Sequence, residues 1–317
     1  MTARSPHRWI LWATLCSGAL LGTAACREQA FRAPQKLGGK LVGPETLNRG
    51  KEVYTLYCRA CHGDNGDGAG PAAPGYRPPP RDFTTGLFKF AGVSAGGLPH
   101  DDALRRVVRN GLHGTAMLAW DLGDGDLDAV LQYLKTFSPR WKEEEPGDPI
   151  VPTPDAWGAA RAPEAVARGA KIYHAVAQCS ACHPAYETRA AIDQASRELN
   201  DAGITGFRSD LYAPEAKDSD FVDRSAGDGG VKLELLAPDF LFNEVRSVRD
   251  LADPASSSAD LYRVIAAGIG GTAMPQWQGA LPEADLWALV YYVRSLMLLR
   301  DTPAAGTLRE RLANQAP

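Results

Sequence analysis

Apolar residues recur at intervals of three and four in four stretches of the chain, and the four form two matching pairs. Leu47, Val53, Tyr54 and Tyr57 share one helical face, as do Val166, Ile172, Tyr173 and Val176. Two later stripes, Leu127-Val130-Leu131-Leu134-Phe137 and Leu286-Leu289-Val290-Val293-Leu296, predict a second helix in each half. Between the halves, Ser138 to Pro163 holds six prolines and the run Glu143-Glu144-Glu145. That composition predicts a semi-stiff linker or a wrapped connection rather than core. Beyond Arg300 the pattern turns polar, as in a flexible tail.

The pairing is an internal repeat. Asp82-Phe83 matches Asp239-Phe240, Leu104 matches Leu261, Val107 matches Val264, and Gly111 matches Gly268. Gly114-Thr115-Ala116-Met117 matches Gly271-Thr272-Ala273-Met274, and Trp120 matches Trp277. All of these pairs are 157 residues apart without a gap. The expected organisation is therefore all-α with two tandem modules, 44–140 and 164–299. They are joined by a Pro-rich linker over 141–163 and followed by a flexible tail over 300–317. A loop insertion within 185–236 lengthens the second module.

Each module carries one dense chemical motif, Cys58-Arg59-Ala60-Cys61-His62 and Cys179-Ser180-Ala181-Cys182-His183. C-x-x-C-H is the attachment signature of c-type haem: two thiols add across the vinyl groups and the histidine becomes the proximal iron ligand. Paired C-x-x-C motifs also build zinc ribbons, but those place the pairs roughly 15–20 residues apart. Here 117 residues separate Cys61 from Cys179. A zinc site, a redox dithiol or a disulfide leaves both histidines unexplained. Two covalently bound haems c are the expectation, with iron held by His62 and His183.

The shared Gly-Thr-Ala-Met block supplies a candidate for the opposite axial position. Met117 lies 55 residues after His62, and Met274 lies 91 after His183. A lone methionine usually fills core space. Two at equivalent places in a duplicated loop, each just beyond a helix-stopping glycine, predict thioether ligation that raises the reduction potential. His100, His113 and His174 have no counterpart in the other module and are expected to be packed or solvated. Lys89 and Arg246, also matched, are candidates for haem-propionate or haem-edge contacts, and Trp120 and Trp277 for haem-edge or core packing.

The N-terminus reads as an export signal. Arg4 and Arg8 precede the apolar run Trp9 to Gly22, then Thr23-Ala24-Ala25-Cys26. Fourteen residues do not reach the ~20 that a membrane-spanning helix needs. Small residues running into Cys26 predict a lipoprotein signal over 1–25, acylation of Cys26 and a tether over 26–43. The chain is thus expected on the periplasmic side of a bacterial membrane, attached through a lipid anchor only. Its net charge of −4 becomes more negative once the two arginines are removed. Nucleic acid is accordingly not an expected partner.

The order of helix, C-x-x-C-H, Gly/Pro-rich loop, Met loop and terminal helix resembles class I cytochrome c, twice over. The first copy keeps the loop closely, in Gly63-Asp64-Asn65-Gly66-Asp67-Gly68, Gly70-Pro71 and Pro78-Pro79-Pro80. The resemblance implies a small helical bundle around each haem. It implies a proline carbonyl that accepts a hydrogen bond from the proximal histidine, for which Pro79 or Pro80 and Pro238 are candidates. It further implies a helix crossing through Gly50 and Gly169, with Tyr133 and Tyr291. The second copy departs from the pattern, with Pro184 after its histidine and a charged insertion. Asp218, Asp220, Asp223 and Asp228 in that insertion lack calcium-loop spacing and are expected to be solvated.

The expected function is electron transfer between respiratory partners, with a quinol-oxidising complex or dehydrogenase as donor and a terminal oxidase or reductase as acceptor. The alternative is a di-haem enzyme of the cytochrome c peroxidase or thiosulfate dehydrogenase kind. Such an enzyme needs an iron with an accessible sixth position. A methionine in both modules, and no spare cysteine beyond Cys26, favours the carrier.

Overall fold

In the computed structural model of the chain, the described residues are 29–223 and 231–314; of 218–223 and 231–233 only the backbone is described. The export signal, Cys26 and the carboxylates at 218–228 lie outside what is described. A short hairpin, β1 (Gln35–Leu37) and β2 (Lys40–Val42), leads into α1 (Pro44–Tyr57) and α2 (Arg59–His62). A long loop leads to α3 (Asp101–Asn110), α4 (Asp124–Lys135) and α5 (Arg140–Glu143). The second half repeats the plan with α6 (Ala162–Lys171), α7 (Arg189–Asn200), the ribbon β3 (Ala216–Asp223) and β4 (Val231–Leu236), α8 (Pro254–Ala267) and α9 (Glu283–Met297). The fold is helical apart from the two antiparallel ribbons. No described helix is long and apolar enough to cross a membrane.

Among the described residues two large hydrophobic cores form, one built around Leu37, Leu47, Leu127 and Leu131, the other around Ile172, Tyr173, Leu289 and Val290, beside a small cluster of Ala185, Ile192 and Leu211. Each large core is organised by one helix crossing. A side chain at Gly50 would overlap the Ala129 carbonyl and come within 2.7 Å of the Tyr133 Cβ. Gly169 meets Ala288 in the same way and lies 2.6 Å from the Tyr292 Cβ by the same measure. Only glycine allows helices to approach this closely. A bidentate ion pair flanks each crossing, Arg49 to Asp126 at 2.7 Å and Arg168 to Asp285 at 2.8 and 2.9 Å.

The aromatic partner in the second crossing is Tyr292 and not the expected Tyr291, whose hydroxyl instead donates to Asp155 at 2.6 Å. The reason is a slip in the repeat. Asp126, Ala129 and Tyr133 match Asp285, Ala288 and Tyr292 at an offset of 159, so two residues enter after Trp277. A second slip lies between Tyr173 and Cys179, where a π-helical turn (Ile172–Val176) and Gln178 in the left-handed region (φ 47°) absorb two extra residues.

Two other expectations need correction. Of the two alternatives for the Pro-rich segment the structure has the wrapped connection, but it is not free of core: Trp141 and Ile150 are 1% and 5% exposed. Trp141 plugs the first core and Ile150 the second, so the connection wraps the fold, with none of its prolines fully buried. The tail is not flexible throughout, because Pro303–Ala313 forms α10 with Ala305 and Leu312 buried. Leu308 adds to this apolar contact, and Arg309 bonds to Asp239, so a helix that otherwise reads as polar is docked.

Candidate functional site

The first C-x-x-C-H motif sits where α1 ends and α2 turns. Cys58 closes α1 by donating its amide to the Tyr54 carbonyl at 2.8 Å. His62 lies one turn on, and its Nδ1–H donates to the Arg81 carbonyl at 3.0 Å. Since a carbonyl oxygen only accepts, Nδ1 carries the proton and Nε2 keeps its lone pair free for a metal. Phe83 stacks on the imidazole at 4.5 Å and 19°, fixing the plane of the ring. The Tyr54 hydroxyl donates to the Gly63 carbonyl at 2.7 Å and holds the end of the motif.

The second motif repeats this arrangement. His183 Nδ1–H donates to the Pro238 carbonyl at 2.9 Å, and Phe240 stacks on the ring at 4.8 Å and 20°. The Tyr173 hydroxyl donates to the Pro184 carbonyl at 3.0 Å. Pro238 is therefore placed as expected, whereas Pro79 and Pro80 are not the acceptors in the first module. Moving back 157 residues from Pro238 leads to Arg81, so the repeat carried the right answer while the search for a proline obscured it. A backbone acceptor needs no particular side chain.

The methionine loops also agree in detail. Gly111 and Gly268, both at positive φ, end α3 and α8, and a side chain at either would collide with the Met117 or Met274 carbonyl. Leu112 and Ile269 amides donate to those carbonyls at 2.9 and 3.2 Å. Thr115 and Thr272 hydroxyls then bridge back to the Leu112 and Ile269 carbonyls, each at 2.8 Å. A cavity of about 370 Å³ opens over the first motif, lined by Cys58, Cys61, His62, Met117 and Trp120. Its size is that of a small-molecule or cofactor site. Burial pushes the Cys58 and Cys179 thiols up to about 12 and draws both histidines below their usual value. All four thiols are free. Cys58 packs on the first core and Cys179 on the second, so the pairs do not combine into one tetrahedral zinc site.

The unmatched histidines stand apart from this. His100 Nε2–H donates to the Gly147 carbonyl at 2.8 Å, His113 is exposed, and His174 is buried in the second core. Sequence reasoning missed the residues that brace the second motif. Arg208, in the insertion, donates to the Ser180 carbonyl at 2.9 Å, to that of His183 at 3.0 Å, and to that of Ala213. Arg309 of α10 reaches Asp239 at 2.5 Å, which also accepts from the Tyr186 hydroxyl at 3.1 Å. Neither arginine has a repeat partner or a local motif to mark it.

Comparison with known proteins fits this geometry. The model of the family described as cytochrome c oxidase, cbb3-type, subunit III matches residues 45–134 and 227–293. The chain belongs to the cytochrome c family. A solved chain of the reducing HAO-like protein complex of Kuenenia stuttgartiensis is 27% identical with a TM-score of 0.59, over 78% of this cytochrome and 95% of that chain. No curated protein matches. The family implies covalently bound haem c, and the first cavity fits it: two thiols, a histidine with a free Nε2, apolar walls and a methionine on one lining. The second C-x-x-C-H falls between the two matched segments.

Proposed function

We propose that this cytochrome carries two haems c and works as an electron carrier, in which His62 and Met117 would hold the iron of the first module and His183 and Met274 that of the second. The observation that carries the reading is the duplicated support of the histidines. A carbonyl 157 residues from its counterpart fixes each Nδ1–H, and a stacked phenylalanine fixes each ring. Held this way, haem iron supplies one-electron transfer. The protein's share is to hold the imidazole tautomer, present the thioether from a glycine-hinged loop and exclude water with apolar walls. Matching methionine loops in both modules favour a carrier over a peroxidase-like or thiosulfate dehydrogenase-like enzyme.

The proposed setting is the periplasmic face of a bacterial membrane, with Cys26 acylated and redox proteins as partners: a quinol-oxidising complex or dehydrogenase as donor, a terminal oxidase or reductase as acceptor. That the similar solved chain comes from a protein complex supports a docked role. The test is the far-red methionine-to-iron absorption of the ferric protein, scaled to haem content. Two closed sites are expected, and Met117→Ala should abolish half of the band. A high-spin haem in the wild type would overturn the carrier reading and bring the enzyme forward.

A further inference from the structure

The two methionine loops are built alike and housed differently. Gly111 to Met117 and Gly268 to Met274 differ only in Leu112 for Ile269 and in His113 for Gly270. Inside the loops the bonds match, down to the Met117 and Met274 amides, which donate to the Thr115 and Thr272 hydroxyls at 3.1 and 3.2 Å. Outside they do not. His113 and Gly114 are exposed, and a side chain at Gly114 would meet nothing within 4 Å. Gly268, Gly270 and Gly271 are buried. A side chain at Gly270 would lie 2.6 Å from the Phe88 carbonyl oxygen and 3.3 Å from the Gly96 nitrogen.

The cover over the second loop is thus a strap of the first module, residues 86–98. The strap is anchored on its own side of the seam. Phe88, Val93 and Leu98 are buried in the first core. Arg140 donates to the Gly86 and Gly96 carbonyls at 3.1 and 2.9 Å, and the Gly147 amide donates to the Leu98 carbonyl at 3.0 Å. Across the seam, the Ala95 amide donates to the Ala267 carbonyl at 2.9 Å, one residue before the Met274 loop begins. A histidine such as His113 has no room at position 270, where the strap's backbone passes; glycine does. For a loop to carry its methionine away it must give up the contacts that hold it. The Met274 loop has the strap to leave behind, and the Met117 loop has open solvent over His113 and Gly114.

Building on the di-haem, His/Met reading, we propose that the strap of the first module holds the Met274 loop shut, with Gly270 as the positioning residue. The Met117 loop is then the one that yields its place to a small neutral lone-pair donor, such as a nitrogen base. The second site stays closed because the first module is docked on it. The exchange replaces a thioether sulfur by a nitrogen and moves no electron.

The experiment mixes the full, haem-loaded ferric chain with excess imidazole and times the loss of the far-red methionine-to-iron band. The wild type is expected to lose it in two equal phases, and Met117→Ala to keep only the slower. Gly270→Ala added to Met117→Ala should speed that remaining phase about tenfold or more, while His113→Ala alters neither. A single phase in the wild type, a fast phase surviving in Met117→Ala, or a Gly270→Ala rate equal to its parent's would overturn the proposal. Should the Gly270→Ala chain fail to mature, amide hydrogen exchange in the wild type decides. Leu112 and Ile269 make the same bond within their loops, so protection about tenfold higher at Ile269 is expected, and equal protection would overturn the clamp. Haem content and starting band intensity test the larger reading. Fewer than two haems, or half the band, in the wild type sinks the di-haem, His/Met function; two closed sites that exchange at one rate sink only the clamp.

Discussion

The two modules hold the same five-residue motif with different materials. In the first, the Gly-rich loop lays its amides against the motif: Gly68 donates to the His62 carbonyl at 2.9 Å, Gly70 to that of Cys61 at 3.1 Å, and Ala72 to that of Ala60 at 2.8 Å. In the second, that loop is absent after Pro184. The Arg208 guanidinium takes the His183 and Ser180 carbonyls, and the Glu215 amide takes that of Cys182 at 2.8 Å. The demand is common, because a sharp turn leaves carbonyls that no helix satisfies. The solutions diverge because a carbonyl accepts from an amide or a guanidinium alike. The insertion is therefore a structural replacement for the lost loop, whatever else its charged ribbon does.

The largest expected effect tests what the modules share. Gly50→Val and Gly169→Val each place a side chain into a facing carbonyl and a tyrosine, and each should cost more than about 4 kcal/mol. Thermal unfolding followed at the haem bands should show loss of the altered module in both cases. If one variant melts like the wild type, the two crossings are not equivalent.

Arg208→Ala tests what they do not share. It strips a half-buried donor group from two carbonyls of the second motif and should destabilise that module by about 2 kcal/mol. The first module, with its own loop, should melt unchanged. Equal loss in both would mean that the insertion supports the whole fold rather than its own motif.

A smaller effect comes from acid. His174 is 2% exposed, and its Nδ1–H donates to the Ala170 carbonyl at 2.7 Å while Nε2 accepts from the Tyr186 amide at 3.1 Å. Its counterpart Thr55 makes the same back-bond to the Lys51 carbonyl at 2.7 Å without a titratable group. Burial lowers His174 to about 4. The unfolded chain then takes up the proton first, so stability is intact above about pH 6.5 and falls as pH drops toward 4, by about 3 kcal/mol. His174→Gln should reduce the acid loss of the second module and leave that of the first unchanged. An acid response identical in wild type and variant would remove His174 from the comparison.

Much of the site was legible in the chain because its chemistry is local. Two thiols and an imidazole at fixed spacing name the haem, and the 157-residue offset sets Met117 against Met274 before any coordinate is known. Helical stripes likewise announced α1, α4 and α9, whose apolar faces are buried. What failed was the identity of backbone partners and long-range braces. The His62 acceptor is Arg81 because a carbonyl is the same on any residue. Tyr292 took the place expected for Tyr291 because the last helix runs at an offset of 159, which sets the counterpart of Tyr133 one residue, roughly 100° of helix, beyond Tyr291.

The sequence by itself determined the motifs, the duplication and the helical class, since each is written in short spacings that any alignment of the chain with itself exposes. Tertiary structure alone decided that Arg208 and Arg309 brace the second histidine's surroundings, that α10 docks, and that Arg246 enters the other module's cavity. These are pairings across tens to more than a hundred residues, between a long flexible side chain and whatever acceptor the fold delivers. No period along the chain encodes such a meeting; only the packed backbone brings the two ends within reach.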